Sequence, residues 1–298
     1  MKYIALLSLL LSITLPARAE LSIFACEPEW AALSEELGGD LITAYSATHG
    51  LQDPHFIQAR PSLIAKARKS DLLVCTGAEL EVGWLPLLQR KSANPAIQDH
   101  ASGHFLATDY VTLKDIPVTL DRSAGDVHAA GNPHIQTDPR LILIVAAKLS
   151  ERMQMLDPQH QTRYQQRLVD FQQRWHAAIT RWEQQAKPLI GFPIVVQHDN
   201  WRYLTDWLQL HKVAVLEAKP GVPPTANDLH RVIKQLEQQP AKAIVHANYQ
   251  PTKSSDWLVD KTQLPIVTLP FTVGGDKQAT DLFSVFDITI QRLLHAQQ

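Results

Sequence analysis

Residues 159–187, QHQTRYQQRLVDFQQRWHAAITRWEQQAK, run for 29 positions without a glycine or a proline. As one helix they would be roughly 43 Å long at about 1.5 Å per residue, enough to run along a whole small domain. Tyr164, Leu168, Phe171, Trp175, Ile179 and Trp182 recur every three or four positions, so one stripe should pack while the glutamines and arginines face water. The aromatic members of the stripe are read as packing residues. A polar rod of this length is a natural linker, and the sequence on either side of it should hold the domains it links.

Both sides carry the same alternation. Before the rod, the apolar runs Leu21 to Cys26, Leu41 to Ser46 and Asp71 to Thr76 are separated by the helical patterns Ala31 to Leu37 and Pro61 to Lys69, the first ending at Gly38-Gly39. Leu141 to Met155 is a further helix, and Asp157-Pro158 restarts the chain. After Pro188, strands are expected at Pro193 to Gln197, Lys212 to Leu216, Ala243 to His246 and Ile266 to Leu269. Helices are expected at Trp201 to Leu208, Thr225 to Gln238, Ser254 to Thr262 and Thr280 to Gln297. Buried strands alternating with amphipathic helices indicate a parallel sheet covered on both faces. The fold class is therefore α/β, in two lobes, each a parallel sheet flanked by helices, bridged by one long rigid helix. The expected divisions are a leader at 1–19, a first lobe at 20–157, the linking helix at 158–187 and a second lobe at 188–298.

The leader reading rests on Lys2, the apolar run Ile4 to Leu15 and Ala17-Arg18-Ala19, which together have the form of a signal peptide cleaved after Ala19. That run is too short to span a bilayer, which takes roughly 20 apolar residues. No cysteine stands at the cleavage point, so a free periplasmic protein is expected and a lipid anchor is not. A formal net charge of -2 gives no reason to invoke nucleic acid or an anionic membrane surface. Cys26 and Cys75 both fall in strand-like runs; an oxidising compartment permits a disulfide between them, and two small buried thiols are the alternative.

Chemistry is concentrated in single histidines at junctions: Asp53-Pro54-His55, Asn132-Pro133-His134 and Gln197-His198-Asp199. Ligands of open parallel sheets bind beyond the carboxyl ends of the strands. Two of these imidazoles belong to the first lobe and one to the second, so in a cleft between the lobes they would form three corners around one divalent cation. The prolines before His55 and His134 stiffen the presenting loops. A fourth corner could come from Asp281, Asp276 or His246, although both aspartates could equally cap turns or helices. Asp53 and Asp199 could fix imidazole tautomers or simply cap turns. The segment Asp121 to Asn132, with Asp126 and His128, reads as a solvated surface loop near the second ligand, with weak ion delivery as the alternative. The other histidines show no shared spacing.

These segments resemble the metal-binding receptors of ABC importers for zinc and manganese, the cluster A-I solute-binding proteins. Asp53-Pro54-His55 with Arg60-Pro61-Ser62 is similar to the family's first-ligand motif, and Asn132-Pro133-His134 with Thr137-Asp138-Pro139 to its second. His198-Asp199-Asn200-Trp201 with Tyr203-Leu204 resembles the third-ligand segment, Leu216 to Pro220 the stretch after it, and Asp281-Leu282-Phe283 the aspartate near the start of the last helix. The resemblance implies one divalent ion in the interlobe cleft, held by His55, His134, His198 and Asp281, and delivery to a membrane permease. A periplasmic metallochaperone is a second candidate partner, and the chain is expected to be a monomer.

Histidine rather than glutamate at the third position goes with zinc in that family, and nitrogen donors agree with Zn(II). Manganese or iron is the alternative cargo. A secreted zinc hydrolase would need a base and a motif such as His-Glu-x-x-His, which the sequence lacks. The chain departs from the family at Asn132, where an aspartate is usual, and in the near absence of a long histidine-rich loop.

Overall fold

The computed structural model describes residues 20–118, 125 and 127–298; the leader expected at 1–19 and the loop residues Asp121 and Asp126 lie outside the described residues. The first sheet contains β1 (Leu21–Ala25), β2 (Ile42–Ser46), β3 (Leu72–Cys75) and β4 (His104–Leu106), in the spatial order β2-β1-β3-β4. The second contains β5 (Pro193–Val196), β6 (His211–Val215), β7 (Ala243–Ala247) and β8 (Ile266–Leu269), in the order β6-β5-β7-β8. All the strand pairs are parallel, as the continuous apolar runs require of strands covered on both faces. The α/β two-lobe architecture is thus the one expected.

The helices that cover the first sheet are α1 (Pro28–Gly38), α2 (Pro61–Ala67), α3 (Leu85–Ser92) and α4 (Pro139–Leu156). Three of them begin on a proline, whose fixed φ and missing N–H suit a helix start. The second sheet is covered by α6 (Arg202–Trp207), α7 (Ala226–Gln238), α8 (Lys253–Thr262) and α9 (Leu282–Gln297). β4 and α3 were not expected from the sequence. β4 is three residues at a sheet edge, too short to show a period, and α3 carries a proline in its first turn and fills half of its buried face with the polar Gln89 and Ser92.

The linking rod is α5 (Gln161–Ala186), roughly 39 Å long at about 1.5 Å per residue. Tyr164, Phe171, Trp175 and Trp182 are completely buried. They pack on α1 and α4 of the first lobe and on α9 of the second, with Trp175 edge-on to Phe283 and Phe286 of α9. The indole of Trp182 donates to Asp287 at 2.6 Å, and that of Trp175 to the Pro139 carbonyl at 2.8 Å. One stripe of one helix is therefore common core to both lobes. Cys26, immediately after β1, forms a disulfide with Cys75 at the end of β3. Among the described residues no helix is long and apolar enough to cross a membrane.

Candidate metal site

His55 lies in the loop after β2. Its carrier turn is fixed by Asp53, whose Oδ1 accepts from the His55 backbone N–H at 3.0 Å and from Nδ1–H at 2.8 Å. The buried Trp84 braces the same turn by donating to the Pro54 carbonyl at 2.9 Å. Burial pushes the Asp53 carboxyl up, yet the His55 hydrogen bond and charge outweigh it and the net direction is down, so the carboxylate stays ionised beside the ring. His198 lies two residues past the end of β5, and its Nδ1–H donates to Glu217, just beyond β6, at 2.7 Å. Each carboxylate fixes one tautomer and leaves Nε2 free as a ligand atom.

His134 is 2% exposed and sits at the entrance to α4, its carbonyl accepting from Thr137 and its ring edge-on to Phe271 with centroids 5.4 Å apart. Its centroid is 5.7 Å from that of His55 and 6.1 Å from that of His198. His134 therefore lies beside His55 of its own lobe and, across the cleft, beside His198 of the other.

A fourth ring joins them. His128 places its Nε2 3.2 Å from His55 Nε2. Nitrogens about 2.05 Å from a shared zinc at the tetrahedral angle lie about 3.3 Å apart, so this pair already has ligand spacing. Ring centroids in such a site are about 5 Å apart. Four of the six ring pairs are 5.3 to 6.3 Å apart, and among the described residues no three of the four rings bring ligand nitrogens within 4.8 Å of one another, so the rings must draw together before all four can hold one ion. Burial, followed by the neighbouring His55, lowers the His128 pKa to about 4, and burial with His55, His198 and His128 drives that of His134 well below the usual value. Both rings are thus neutral at pH 7, which is the ligating form.

The loop carrying His128 is tied down. The Ala129 N–H donates to Glu79 Oε2 at 2.6 Å, and the His128 ring bonds the Ala78 carbonyl. Gly77, Ala78 and Glu79 all have positive φ, a strained turn of the kind that persists where its surroundings hold it. Gly125 comes so close to the Pro220 carbonyl of the second lobe that a Cβ would stand 2.2 Å from that oxygen.

The other expected residues lie elsewhere. Asp281 is not brought to the histidines: it is the exposed N-cap of α9, its Oδ1 accepting from the Ser284 N–H at 2.7 Å, on a different cavity lined by Pro28, Glu35 and Arg167. Asp276 pairs with Arg292 at 2.6 Å. His246 is buried in β7 between the Ala247 carbonyl and Thr268. Asp199 holds Lys212 rather than an imidazole. The sequence pattern suggests a solvated His128 loop and gives Glu217 no role. The one available signal for Glu217 was its position just past the strand that neighbours β5.

Two parallel-sheet lobes, a shared helix and imidazoles gathered from both lobes define a metal receptor of the solute-binding class. The chain belongs to the family described as ZnuA, zinc-uptake complex component A periplasmic, whose family model matches residues 23–296. This is the group of metal receptors of ABC importers that the sequence resembles, and its members are receptors rather than enzymes. Curated relatives include the high-affinity zinc uptake system protein ZnuA of Yersinia pestis, 23% identical over 212 residues that make up 64% of each chain. The manganese ABC transporter substrate-binding lipoprotein PsaA of Streptococcus pneumoniae is 20% identical over 84% of this chain and 79% of its own. Among solved structures, a crystal structure of ZnuA superposes with a TM-score of 0.76 at 21% identity, covering 94% of this chain and all of that one. The periplasmic zinc binding protein TroA of Treponema pallidum gives 0.75 at 16% identity over 94% of this chain and 99% of its own.

Proposed function

We propose that the protein captures Zn(II) in the periplasm on His55, His134, His198 and His128 and hands it to the membrane permease of an ABC importer. The observation that carries this reading is the convergence of four imidazoles from both lobes, two with carboxylate partners and two held neutral by burial. An all-nitrogen donor set favours zinc over manganese, which prefers carboxylate and carbonyl oxygen. The zinc-named relatives support this reading, and the manganese-named relative supplies the second reading, the same receptor with a different cargo. The functional division would be a leader removed after Ala19, lobes at 20–157 and 188–298, and the linker at 158–187, with the mature chain acting as a monomer.

Competition binding at buffered free metal tests the assignment. Zinc is expected to displace manganese at equal free concentration, with one ion bound per chain. Manganese winning that competition would move the chain to the second reading.

A further inference from the structure

Asn132 does not act towards His134 as Asp53 acts towards His55. Asn132 Oδ1 accepts from the His134 backbone N–H at 3.1 Å, matching the Asp53 bond to the His55 backbone, but His134 Nδ1 is buried without a hydrogen-bond partner. The rest of Asn132 is turned across the cleft. Its Nδ2 donates to the Asp199 carbonyl at 2.9 Å, and its own carbonyl accepts from the Tyr203 hydroxyl at 2.7 Å. Asp199 is the residue after His198, so one side chain ties the loop of the second ligand to the loop of the third.

The surroundings reinforce the tie. The Asn132 N–H donates to the Lys114 carbonyl at 2.7 Å, and the Lys114 N–H donates to the Tyr203 hydroxyl at 3.1 Å. Lys114 also pairs with Asp206, and Arg202 with Asp115 at 3.3 Å, so the same seam carries ion pairs between the lobes. Only an amide serves both ends at residue 132. An aspartate would keep the acceptor for His134, but it has no proton for the Asp199 carbonyl and would set a negative charge against that oxygen.

We propose that Asn132 is an interlobe clasp, a positioning residue whose amide and carbonyl hold the His134 and His198 loops together and so slow the release of the bound ion. The inference rests on the metal-receptor reading above. Release requires the lobes to part and these bonds to break, whereas an ion entering an open cleft meets them unmade. The effect should therefore fall on the dissociation rate.

The test is stopped-flow transfer of Zn(II) from the full mature chain to an excess of a chromophoric chelator, together with zinc association rates. Amide hydrogen exchange over residues 198–207 in the metal-free protein accompanies them. Asn132→Asp is expected to speed release about five- to tenfold, the scale of one lost hydrogen bond, with association within about twofold of wild type. Tyr203→Phe should speed release about threefold, and exchange over 198–207 should quicken in both variants. Release and exchange unchanged in Asn132→Asp would overturn the clasp. So would association slowed as much as release is accelerated, which marks a damaged His134 loop. If Asn132→Asp does not fold, Tyr203→Phe decides alone: quickened release supports the clasp, and unchanged release overturns it. A wild-type chain that binds no zinc sinks the receptor reading, while the exchange measurement still tests the clasp on its own.

Discussion

The two sheets reverse their strand order at equivalent places, between β1 and β3 in the first lobe and between β5 and β7 in the second, and the two crevices are used in opposite ways. Such switch points are where open parallel sheets bind ligands. In the first lobe the crevice is filled by the protein itself. The Cys26–Cys75 disulfide closes it, and the Thr76 N–H donates to Glu27 at 3.3 Å and to Glu81 at 2.7 Å. In the second lobe Gln197 is tied back to Ser255 at 2.9 Å, and the next residue, His198, enters the cleft with Glu217 behind it. One switch point is a plug and the other presents a ligand. The first lobe must then supply its imidazoles from loops beyond the sheet, and each of those loops needs its own brace: Trp84 and Asp53 for His55, Glu79 for His128, Asn132 for His134.

The largest expected effect comes from breaking the presenting switch point. His198→Ala should lower zinc affinity by more than the ten- to hundredfold that loss of an outer partner costs, as read by competition titration. Glu217→Gln should fall within about ten- to hundredfold, because the imidazole remains while its tautomer is no longer fixed. If Glu217→Gln titrates like wild type, the bond behind His198 is structural and the contrast between the lobes loses its functional half.

The loop ligands sharpen the same contrast. His128→Ala is expected to weaken zinc binding about tenfold or more and to reduce the extra thermal stability that zinc confers by about 1.4 kcal/mol per tenfold of lost affinity, since only binding to the native state adds it. Unchanged affinity in that variant would return the loop to the solvated surface segment that its sequence suggests.

That misreading has a physical cause. The fold was legible because α5 advertises itself by length and by one aromatic stripe, and because seven of the strands are apolar runs bounded by turn residues. His55, His134 and His198 were legible because each abuts a strand end or a proline turn. His128 lies among glycines and small residues, and what places it is a hydrogen bond from Ala129 to Glu79, 50 residues away. No local pattern encodes such a tie. Glu217 was equally silent, since its role exists only once β6 lies beside β5.

The plug predicts a pH effect separate from metal. Burial raises the Glu81 carboxyl to about 7, and burial with the charges of Glu81 and Glu29 raises Glu27 well above 4.5. A carboxyl that holds its proton more tightly when folded stabilises the fold at low pH. That contribution is complete below about pH 4.5 and is lost as the pH climbs through about 7. The Glu81 contribution to thermal stability should therefore fall between about pH 5 and pH 8, against the rise up to about pH 6.5 that the neutral, buried His128 and His134 supply, so Glu81→Gln should remove that fall relative to wild type while leaving zinc affinity unchanged. An unaltered slope would mean that Glu81 takes up no extra proton on folding.

Asp281→Ala is expected to give the smallest change and to decide the fourth corner. Asp281 and Ser284 form a reciprocal capping box at the start of α9, so removing the carboxylate should cost about 1 kcal/mol, a few degrees at most in melting temperature. Zinc affinity should stay at the wild-type value, because the side chain opens onto the cavity beside Pro28 and Arg167 rather than onto the imidazoles. The opposite pattern, affinity lost with the melting temperature of the metal-free protein unchanged, would make Asp281 the ligand that the family resemblance implies. His128 would then be a bystander 3.2 Å from His55 Nε2. In that event the second lobe would supply two ligands, one from its switch point and one from a helix start, and the division between a plugged lobe that relies on braced loops and a lobe that presents a single strand-end ligand would no longer hold.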